Sequence, residues 1–487
     1  MLFNSLNFAL FVPIVFFLYW FATKGNIKLQ NVLLLVSSYF FYACWDYRFL
    51  FLLIFSTFLD YYTGLKIYNA PGKKNRLFWL WLSIIVNLGF LGFFKYYNFF
   101  SASFAEALSN VGIRVNPWTL RVILPVGISF YTFHGLSYII DIYKNRIQPE
   151  KNFIIYSVFV SFFPLLVAGP IERATHLLPQ IQQKRTFEYT KAADGLRQIL
   201  WGLFKKIVIA DSCAQFADTI FNNYPAFNGS TLILGAFFFA IQIYCDFSGY
   251  SDIAIGTARL FGIELLRNFA FPYFSRDIAE FWRRWHISLS SWFRDYLYIP
   301  LGGSKGGTWM KIRNTLIIFL VSGFWHGANW TFIIWGLLNA LYIMPSIIFN
   351  TNRNNLDIVA QGKIFPSLKE LISVVITFCL TTFAWIFFRA DSLTAAFRYV
   401  KKIFSSSTFK LPNMSAFSGD PSVYFVLLLV MLFMIVEWLG RERQYAIAKI
   451  GHWSPVAARW SVYFTLVGVI YYFTFSGRGH LFIYFQF

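Results

Sequence analysis

The protein has 487 residues, of which 57% are hydrophobic and 13% are charged. A soluble domain carries about a quarter charged residues, so this composition excludes a chain whose whole surface faces water. The net charge of +20 does not indicate a nucleic-acid partner, because the basic residues lie in short stretches between apolar runs, where cations set membrane topology and contact anionic lipid headgroups.

Apolar runs of about 20 residues, the length that crosses a bilayer as a helix, recur along the chain. About ten to twelve are present, near 5–22, 29–45, 48–65, 77–97, 122–142, 153–169, 196–211, 231–262, 314–346, 371–388, 423–439 and 460–475. The first run has no basic leader, so we expect it to be retained as a span. The sequence predicts an all-α, polytopic transmembrane helical bundle with interfacial and re-entrant helices, and a single domain over residues 1–487.

Some stretches depart from a simple spanning helix. Pro164 and Pro170 lie close together near the end of an apolar run, which favours an interrupted helix or a re-entrant turn. The run 231–262 is too long for one span and is expected to be kinked or divided into two pieces. Residues 403–422 are predicted to form a loop. Basic residues populate most loops, so the uncharged loop 221–230 is the best indication of the outer face.

Two carboxylates interrupt the apolar run 231–262. Asp246 and Asp252 are too far apart on a helix to be i,i+4 partners. Each is therefore expected to pair with a cation from another helix, and Arg259 is a local candidate partner for Asp252. A similar structural role is expected for the buried His134. Asp246 is also retained as a candidate for lining the active site.

Residues 264–313 are too charged to cross the bilayer and are predicted to lie in the interface. Within them, residues 281–299 repeat large apolar side chains at spacings of three and four, which predicts one stripe of an amphipathic helix. The stripe contains Trp282, Trp285, Leu289, Trp292 and Tyr296. His286 lies beside the stripe, where it either faces a cavity or is structural. The glycine-rich stretch 302–307 lacks the Walker A pattern and is predicted to be a connector.

Residues 315–344 contain no formal charge and hold His326 near their middle. An ionisable side chain within a span usually faces a polar cavity, and histidine can accept and return a proton near neutral pH. We therefore predict that a helix over 314–346 carries a catalytic His326. The spacing of Gly323 and Gly327 favours close approach of another backbone. Further candidates beside the histidine are Ser322, Trp325 and Asn329.

The last residues, FIYFQF at 482–487, allow two interpretations. They form an aromatic anchor at the interface, or the phenol of Tyr484 is acylated once a base removes its proton. The cysteines have no CxxC or Cys/His spacing, so neither a metal site nor a disulfide framework is expected. They are Cys44, Cys213, Cys245 and Cys379.

Long motifs are distributed over nearly the whole chain. They are FHGLSYIIDIYK at 133–144, FFPLLVAGPIER at 162–173, QIYCDFSGYSDIAIG at 242–256, EFWRRWHISLSSWFRDYLYIPLGG at 280–303, SGFWHGANWTF at 322–332, AWIFFRADSL at 384–393 and the terminal FIYFQF. In this order they resemble the membrane-bound O-acyltransferase family, in particular the branch that acetylates alginate and peptidoglycan.

The resemblance implies that His326 is the family's catalytic histidine, deep in a central funnel, and that His286 is the second functional histidine. It implies transfer of an acyl group from a cytosolic thioester, acetyl-CoA, towards a hydroxyl of an extracytoplasmic glycan, with no bound cofactor. The expected location is the bacterial cytoplasmic (inner) membrane. A periplasmic partner with a Ser-His-Asp, SGNH-hydrolase-like site is expected to complete the transfer.

The resemblance also bears on two other positions. In the related teichoic acid D-alanylation system, a small partner ends in a motif similar to FIYFQF, which makes Tyr484 a candidate acyl carrier. Relatives often have a His-Gly pair where this chain has Asn339-Ala340, so position 339 is excluded from catalysis. His286, Asn329 and nearby tryptophans are expected to orient the donor or stabilise an oxyanion.

Other functions stay open from the sequence. A D-alanyl group on a carrier protein is the main alternative donor. A glycan or lipid transporter would share the many spans, although no inverted repeat is detectable. A non-catalytic membrane scaffold for a secreted enzyme is the third alternative.

Overall fold

A computed structural model describes residues 1–113, 116–120, 124–167, 169–413, 422–452, 455–475, 479–480 and 482–483. This part of the chain is helical and contains no strand, which confirms the predicted all-α class. It divides into two compact units. The first is formed by Met1–Gly195 and Ala254–Leu266, and the second by Leu196–Ile253 and Arg267–Phe487.

The first half of the chain supplies ten α-helices among the described residues. They are α1 (Leu6–Phe17), α2 (Ile27–Ala43), α3 (Tyr47–Asn69), α4 (Gly72–Leu91), α5 (Tyr97–Asn110), α6 (Ile128–Tyr143), α7 (Phe153–Ser161), α8 (Phe163–Leu166), α9 (Ala174–Gln182) and α10 (Tyr189–Leu203). Several begin at a polar side chain that accepts a backbone N–H of the first turn, as N-caps do. These caps are Ser5, Asn26, Asp46 and Asn152.

A π-helical segment, Phe204–Ala210, follows α10 and leads into the remaining helices. These are α11 (Asp211–Asn222), α12 (Gly229–Leu260), α13 (Ile278–Arg284), α14 (Ile287–Phe293), α15 (Gly307–His326), α16 (Trp330–Ile348), α17 (Leu368–Arg389), α18 (Leu393–Ile403), α19 (Val423–Gly440) and α20 (Val456–Phe475). Residues 302–306 of the glycine-rich stretch form the turn before α15, as expected of a connector.

Seven helical stretches within the described ranges are long and apolar enough to cross a membrane, judged by length and composition. They are Tyr47–Asn69, Gly72–Asn110, Gly229–Leu260, Trp330–Ile348, Leu368–Arg389, Val423–Gly440 and Val456–Phe475. The predicted spans near 122–142 and 153–169 form shorter helices, because α6 begins only after a left-handed Gly127 and α7 ends at Ser161. The protein is a multi-pass membrane protein.

The structure tests the two predictions of irregular helices, one at Pro164 and one in the run 231–262. The chain before Pro164 is interrupted, as predicted, and the Oγ of Ser38 accepts a hydrogen bond from the freed N–H of Phe163 at 3.0 Å. The run 231–262 instead forms one helix of 32 residues, so the expectation of two shorter pieces is wrong. Most of α12 is buried inside the protein, and a buried helix is not limited to the thickness of the bilayer.

The run 314–346 forms two helices, so the prediction of one helix over these residues is wrong. The break between the two helices determines the position of His326. α15 and α16 pack closely where their glycines meet. A Cβ on Gly323 would lie 2.3 Å from the carbonyl oxygen of Phe332, and a Cβ on Gly336 would lie 2.3 Å from that of Phe319. The close backbone approach predicted at Gly323 is therefore confirmed.

We expect Gly323→Ala to destabilise the protein, because the added methyl group forces the backbones of α15 and α16 apart. Overpacking of this kind costs about 1–3 kcal/mol. The measurement is the unfolding temperature of the purified protein in detergent. Gly468→Ala in α20 is the matched control, since no atom lies within 4 Å of its added Cβ. Equal unfolding temperatures for the two variants would contradict the close packing.

Candidate active site

His326 is the last residue of α15, and its position follows from the break between α15 and α16. Gly327 has extended backbone, with φ −162° and ψ 152°. Asn329 then starts α16 by accepting a hydrogen bond from the N–H of Thr331 at 3.0 Å. The break places the histidine at a helix end instead of at the middle of a continuous span. Its side chain is nevertheless buried, and the residue is 5% exposed.

Aromatic rings surround His326. Its ring centroid lies 4.8 Å from that of Trp325, 5.1 Å from Trp335 and 5.3 Å from Phe388. The arrangements are edge-on, with interplanar angles of 69°, 89° and 71°. An imidazole in such a cage is shielded from bulk water, which limits loss of a reactive acyl group to hydrolysis.

His286 lies at a second break in the chain, where the sequence predicted a continuous amphipathic helix. α13 ends at Arg284, and α14 begins at Ile287. His286 has a left-handed backbone, with φ 43°, which a non-glycine residue adopts at a cost of about 1–3 kcal/mol. The N–H of Ile287 donates to the carbonyl of Asn268 at 2.9 Å. The prediction of one helix was wrong because this contact with a distant segment replaces a helical hydrogen bond.

The left-handed turn buries the His286 side chain, and the residue is 1% exposed. Its Nδ1 accepts a hydrogen bond from the N–H of Leu289 at 3.3 Å, so the ring proton of the neutral imidazole is on Nε2. No atom in the described part of the chain is hydrogen-bonded to Nε2. Burial lowers the pKa of His286 to about 3. At neutral pH the Nε2–H of His286 is thus a hydrogen-bond donor that the described residues leave unused.

The two histidines are brought together by shared aromatic neighbours. The ring of Trp325, which contacts His326, lies 6.3 Å from the ring of His286 at 89°. The ring of Phe247 also contacts His286, with the two ring centroids 4.7 Å apart. The structure therefore places the two predicted histidines in one cluster of the second unit.

The predicted tryptophans form a continuous wall of this cluster. Trp285 lies 5.0 Å from Trp385, which stacks on Trp335 at 5.5 Å and 21°. Trp282 contacts Trp335 at 5.7 Å. Sequence reasoning selected Trp282 and Trp285 but missed Trp335, Trp385 and Phe388. The motif AWIFFRADSL contained two of the missed residues, but only the contact of Phe388 with His326 and that of Trp385 with Trp335 distinguish them from ordinary core residues.

Ser322 and Asn329 have different surroundings. Ser322 is buried one helical turn before His326 on α15. Asn329 caps α16 and donates its Nδ2 to the carbonyl of Asp391 at 3.0 Å. Both polar atoms of the Asn329 side chain are thus used to fix the turn after His326, which makes it a positioning residue in this structure.

Asp246 lies beside the site and forms part of a buried ion-pair cluster. Its carboxylate is 2.8 Å from Nζ of Lys206, which also contacts Asp211 at 2.7 Å. The expected pairing with a cation from another segment is confirmed for both aspartates. Asp252 pairs with Lys205, whereas Arg259 pairs with Asp194 at 2.6 Å, so the proposed Arg259–Asp252 pair was wrong. The adjacent lysines in an apolar stretch were the overlooked signal.

The same cluster holds residues near the C-terminus. The N–H of Ile483 donates to Asp246 at 2.7 Å, and Nζ of Lys206 donates to the carbonyl of His480 at 3.0 Å. Phe482 is fully buried, with its ring 4.2 Å from that of Tyr250 and 6.0 Å from that of Phe247. Phe247 is also the neighbour of His286. Tyr484 lies outside the described residues.

The chain is similar to known membrane acyltransferases. A model of the membrane-bound O-acyltransferase family matches residues 147–388, which include both histidines. The protein named "Probable alginate O-acetylase AlgI" of Pseudomonas aeruginosa is 39% identical over 91% of this chain and 82% of its own length. The peptidoglycan O-acetyltransferase of Helicobacter pylori is 37% identical over 82% of this chain and 79% of its own length.

The teichoic acid D-alanyltransferase of Bacillus subtilis is more distant, with 29% identity over 54% of this chain and 68% of its own length. The fold and these matches define a multi-pass membrane enzyme that transfers acyl groups. The chain belongs to the membrane-bound O-acyltransferase family, as its motifs predicted, and it is an O-acyltransferase. This identification decides against the transporter and scaffold alternatives.

The lowered pKa of His286 predicts how the stability of the protein depends on pH. The unfolded chain has an ordinary histidine pKa of 6.5, and the folded value is about 3, so acidification protonates the unfolded state first. The stabilisation from neutral His286 is complete above pH 6.5 and is lost as the pH falls towards 3. We expect His286→Gln to reduce the fall in unfolding temperature between about pH 7.5 and about pH 5.5.

The matched control for this prediction is His452→Gln, since His452 is exposed. The control is expected to show the same pH dependence as the native protein. An identical pH dependence in His286→Gln and the native protein would show that His286 is not held neutral by burial.

Proposed function

We propose that this O-acyltransferase moves an acetyl group from a cytosolic thioester, acetyl-CoA, to a hydroxyl group on the path to an envelope glycan outside the bacterial inner membrane. The observation that supports it best is the buried aromatic cage that holds His326 and His286 together. The relatives named for alginate and peptidoglycan acetylation support an acetyl donor and a glycan acceptor.

In the proposed reaction, His326 acts as the general base. Its imidazole removes the proton from the acceptor hydroxyl, and the oxygen attacks the thioester carbonyl carbon. A C–O bond forms and the C–S bond breaks, and the protonated His326 returns its proton to the leaving thiolate. The proton taken from the hydroxyl ends on the thiol, so the reaction needs no oxidant, reductant or further proton donor. The surrounding rings of Trp325, Trp335 and Phe388 keep competing water away.

His286 is assigned a different part in the proposal. It is neutral, and its Nε2–H has no other acceptor in the described structure. A fixed donor in a site without water stabilises the negative charge that develops on a carbonyl oxygen. His286 therefore serves as a hydrogen-bond donor to the thioester oxygen, while His326 transfers the proton.

Tyr484 is proposed as the first acyl acceptor. Its chain neighbours Phe482 and Ile483 are buried against Tyr250, Phe247 and Asp246, and Phe247 contacts His286. A phenol beside a base can form an ester and later pass the acyl group on. A periplasmic partner with an SGNH-hydrolase-like site would then transfer the group to the glycan.

The test of the Tyr484 proposal is to incubate the full-length protein with labelled acetyl-CoA and to locate the label by peptide mass spectrometry. We expect the label on the C-terminal peptide of the native chain and none on that of Tyr484→Phe. The conservative change removes only the hydroxyl. Label retained on the Tyr484→Phe peptide would overturn the carrier role.

The proposed function as a whole is tested by acetyl transfer from radiolabelled acetyl-CoA to the purified protein or to its glycan acceptor. Loss of a general base lowers such a rate by about 100-fold to 10,000-fold, and this loss is expected for His326→Ala. His452→Ala, which changes an exposed histidine, is expected to keep the native rate. A folded His326→Ala with native turnover would contradict the mechanism, and transfer only from a D-alanyl carrier protein would overturn acetyl-CoA as the donor.

A further inference from the structure

A cavity of about 480 Å³ opens in the second unit, and arginines dominate its wall. Five of them line it: Arg267, Arg283, Arg284, Arg441 and Arg443. The carboxylates of Glu280 and Glu442 also line it, which leaves a net charge of +3 from these seven residues. A concave surface with such an excess of guanidinium groups attracts anions.

Three of the arginines have structural partners that hold the wall in place. Arg284 forms an ion pair with Glu280 at 2.8 Å. Arg283 donates to the backbone carbonyls of Asn352 and Asn355 at 2.8 and 2.7 Å. Arg441 donates to several carbonyls, including that of Ala360 at 2.6 Å. These contacts hold the three side chains in the wall. The two remaining arginines of the wall are Arg267 and Arg443.

Arg443 and Arg267 are different because both keep donors available. Arg443 is exposed, and its guanidinium group has no hydrogen bond or ion pair with the described residues. Arg267 donates one hydrogen bond, from Nη2 to the carbonyl of Arg443 at 3.1 Å, and its buried Nε has no partner there. Its guanidinium is placed against the ring of Phe271, 5.3 Å from the centroid. Arg443 therefore presents an unpaired guanidinium group at the cavity, and Arg267 beside it has donor capacity that the described residues leave unused.

The wall of the cavity is continuous with the aromatic cage around His286. The N–H of Ala270, a lining residue, donates to the carbonyl of Arg284 at 3.0 Å. Their chain neighbours, Phe269 and Trp285, pack against each other at 5.1 Å. Phe269 in turn lies 6.4 Å from the ring of His286. The arginine wall is thus connected to the histidine cluster through Phe269 and Trp285.

We propose that this cavity binds the phosphate groups of the thioester donor, with Arg267 and Arg443 as their principal ligands. The inference rests on the proposed function, because it supplies the donor's binding site. A phosphate-bearing nucleotide joined to a long flexible arm matches the arrangement: the charged end is held by the arginines, and the acyl end extends towards His286. Phosphate of a membrane lipid has the same chemistry, so the test must separate these two sources.

The test measures equilibrium binding of coenzyme A and of pantetheine, which lacks the nucleotide phosphates, to the full-length protein in nanodiscs of zwitterionic lipid. Hydrogen bonds to charged groups contribute enough that losing one weakens binding roughly tenfold. We expect this loss of coenzyme A affinity in Arg443→Gln. Pantetheine binding is expected to be the same in Arg443→Gln and the native protein. Arg398→Gln, which removes an exposed cation from α18, is the control expected to retain native affinity.

Unchanged coenzyme A affinity in Arg443→Gln would overturn the proposal, as would an equal loss of affinity for pantetheine. A second arm adds phosphatidylglycerol to the nanodiscs. Thermal stabilisation by this lipid that disappears in Arg443→Gln, with coenzyme A affinity unchanged, would assign the cavity to a lipid headgroup instead. The binding test needs no turnover, so phosphate-dependent binding without acetyl transfer would count against the proposed function and leave the phosphate site standing.

Discussion

Lys205 and Lys206 are adjacent residues in an apolar stretch, and each forms an ion pair with an aspartate of α12. A single buried charge without a partner costs several kcal/mol, whereas a paired and hydrogen-bonded one is tolerated. The pairs Lys205–Asp252 and Lys206–Asp246 therefore fix the register of the π-helical segment Phe204–Ala210 against α12. Asp246 also accepts the N–H of Ile483, so the same constraint holds the residues near the C-terminus in the second unit.

The candidate active site lies next to these ion pairs, and two interruptions of helical backbone position its histidines. Phe247, next to Asp246, contacts both Phe482 and His286. Because His286 has a left-handed backbone and His326 ends a helix, both imidazoles lie in one aromatic cluster. The two histidines then differ in chemistry because of their surroundings: His286 is kept neutral with an Nε2–H that no described atom accepts, and His326 is the residue to which we assign proton transfer.

The sequence predicted which histidines lie together better than it predicted the backbone that positions them. His326 was a candidate because an ionisable residue within an uncharged run is costly, whereas the residue pattern left the role of His286 open and the family resemblance selected it. The breaks at His286 and Gly327 were not predictable from the apolar pattern, since an interrupted helix and a continuous one can have the same spacing. What interrupts the helix at His286 is a hydrogen bond from Ile287 to Asn268, a contact that no local pattern encodes.

The arginine cavity illustrates the same limit. Its lining residues come from 267–284, 355–358 and 441–444, far apart in the sequence, and none of these stretches predicts the cavity by itself. Similarly, Arg259 was the nearest cation to Asp252 in sequence, but Lys205 is its partner in space. Composition and motifs thus predicted the fold class and the family, whereas partner choice depended on tertiary packing.

The most direct test of this account compares donor binding with turnover in His326→Ala. The account assigns His326 to the chemical step and the donor's phosphates to a different part of the second unit. It predicts that the variant binds coenzyme A with native affinity but no longer releases thiol from acetyl-CoA. Thiol release at the native rate, or a loss of coenzyme A binding that matches the loss of turnover, would contradict it.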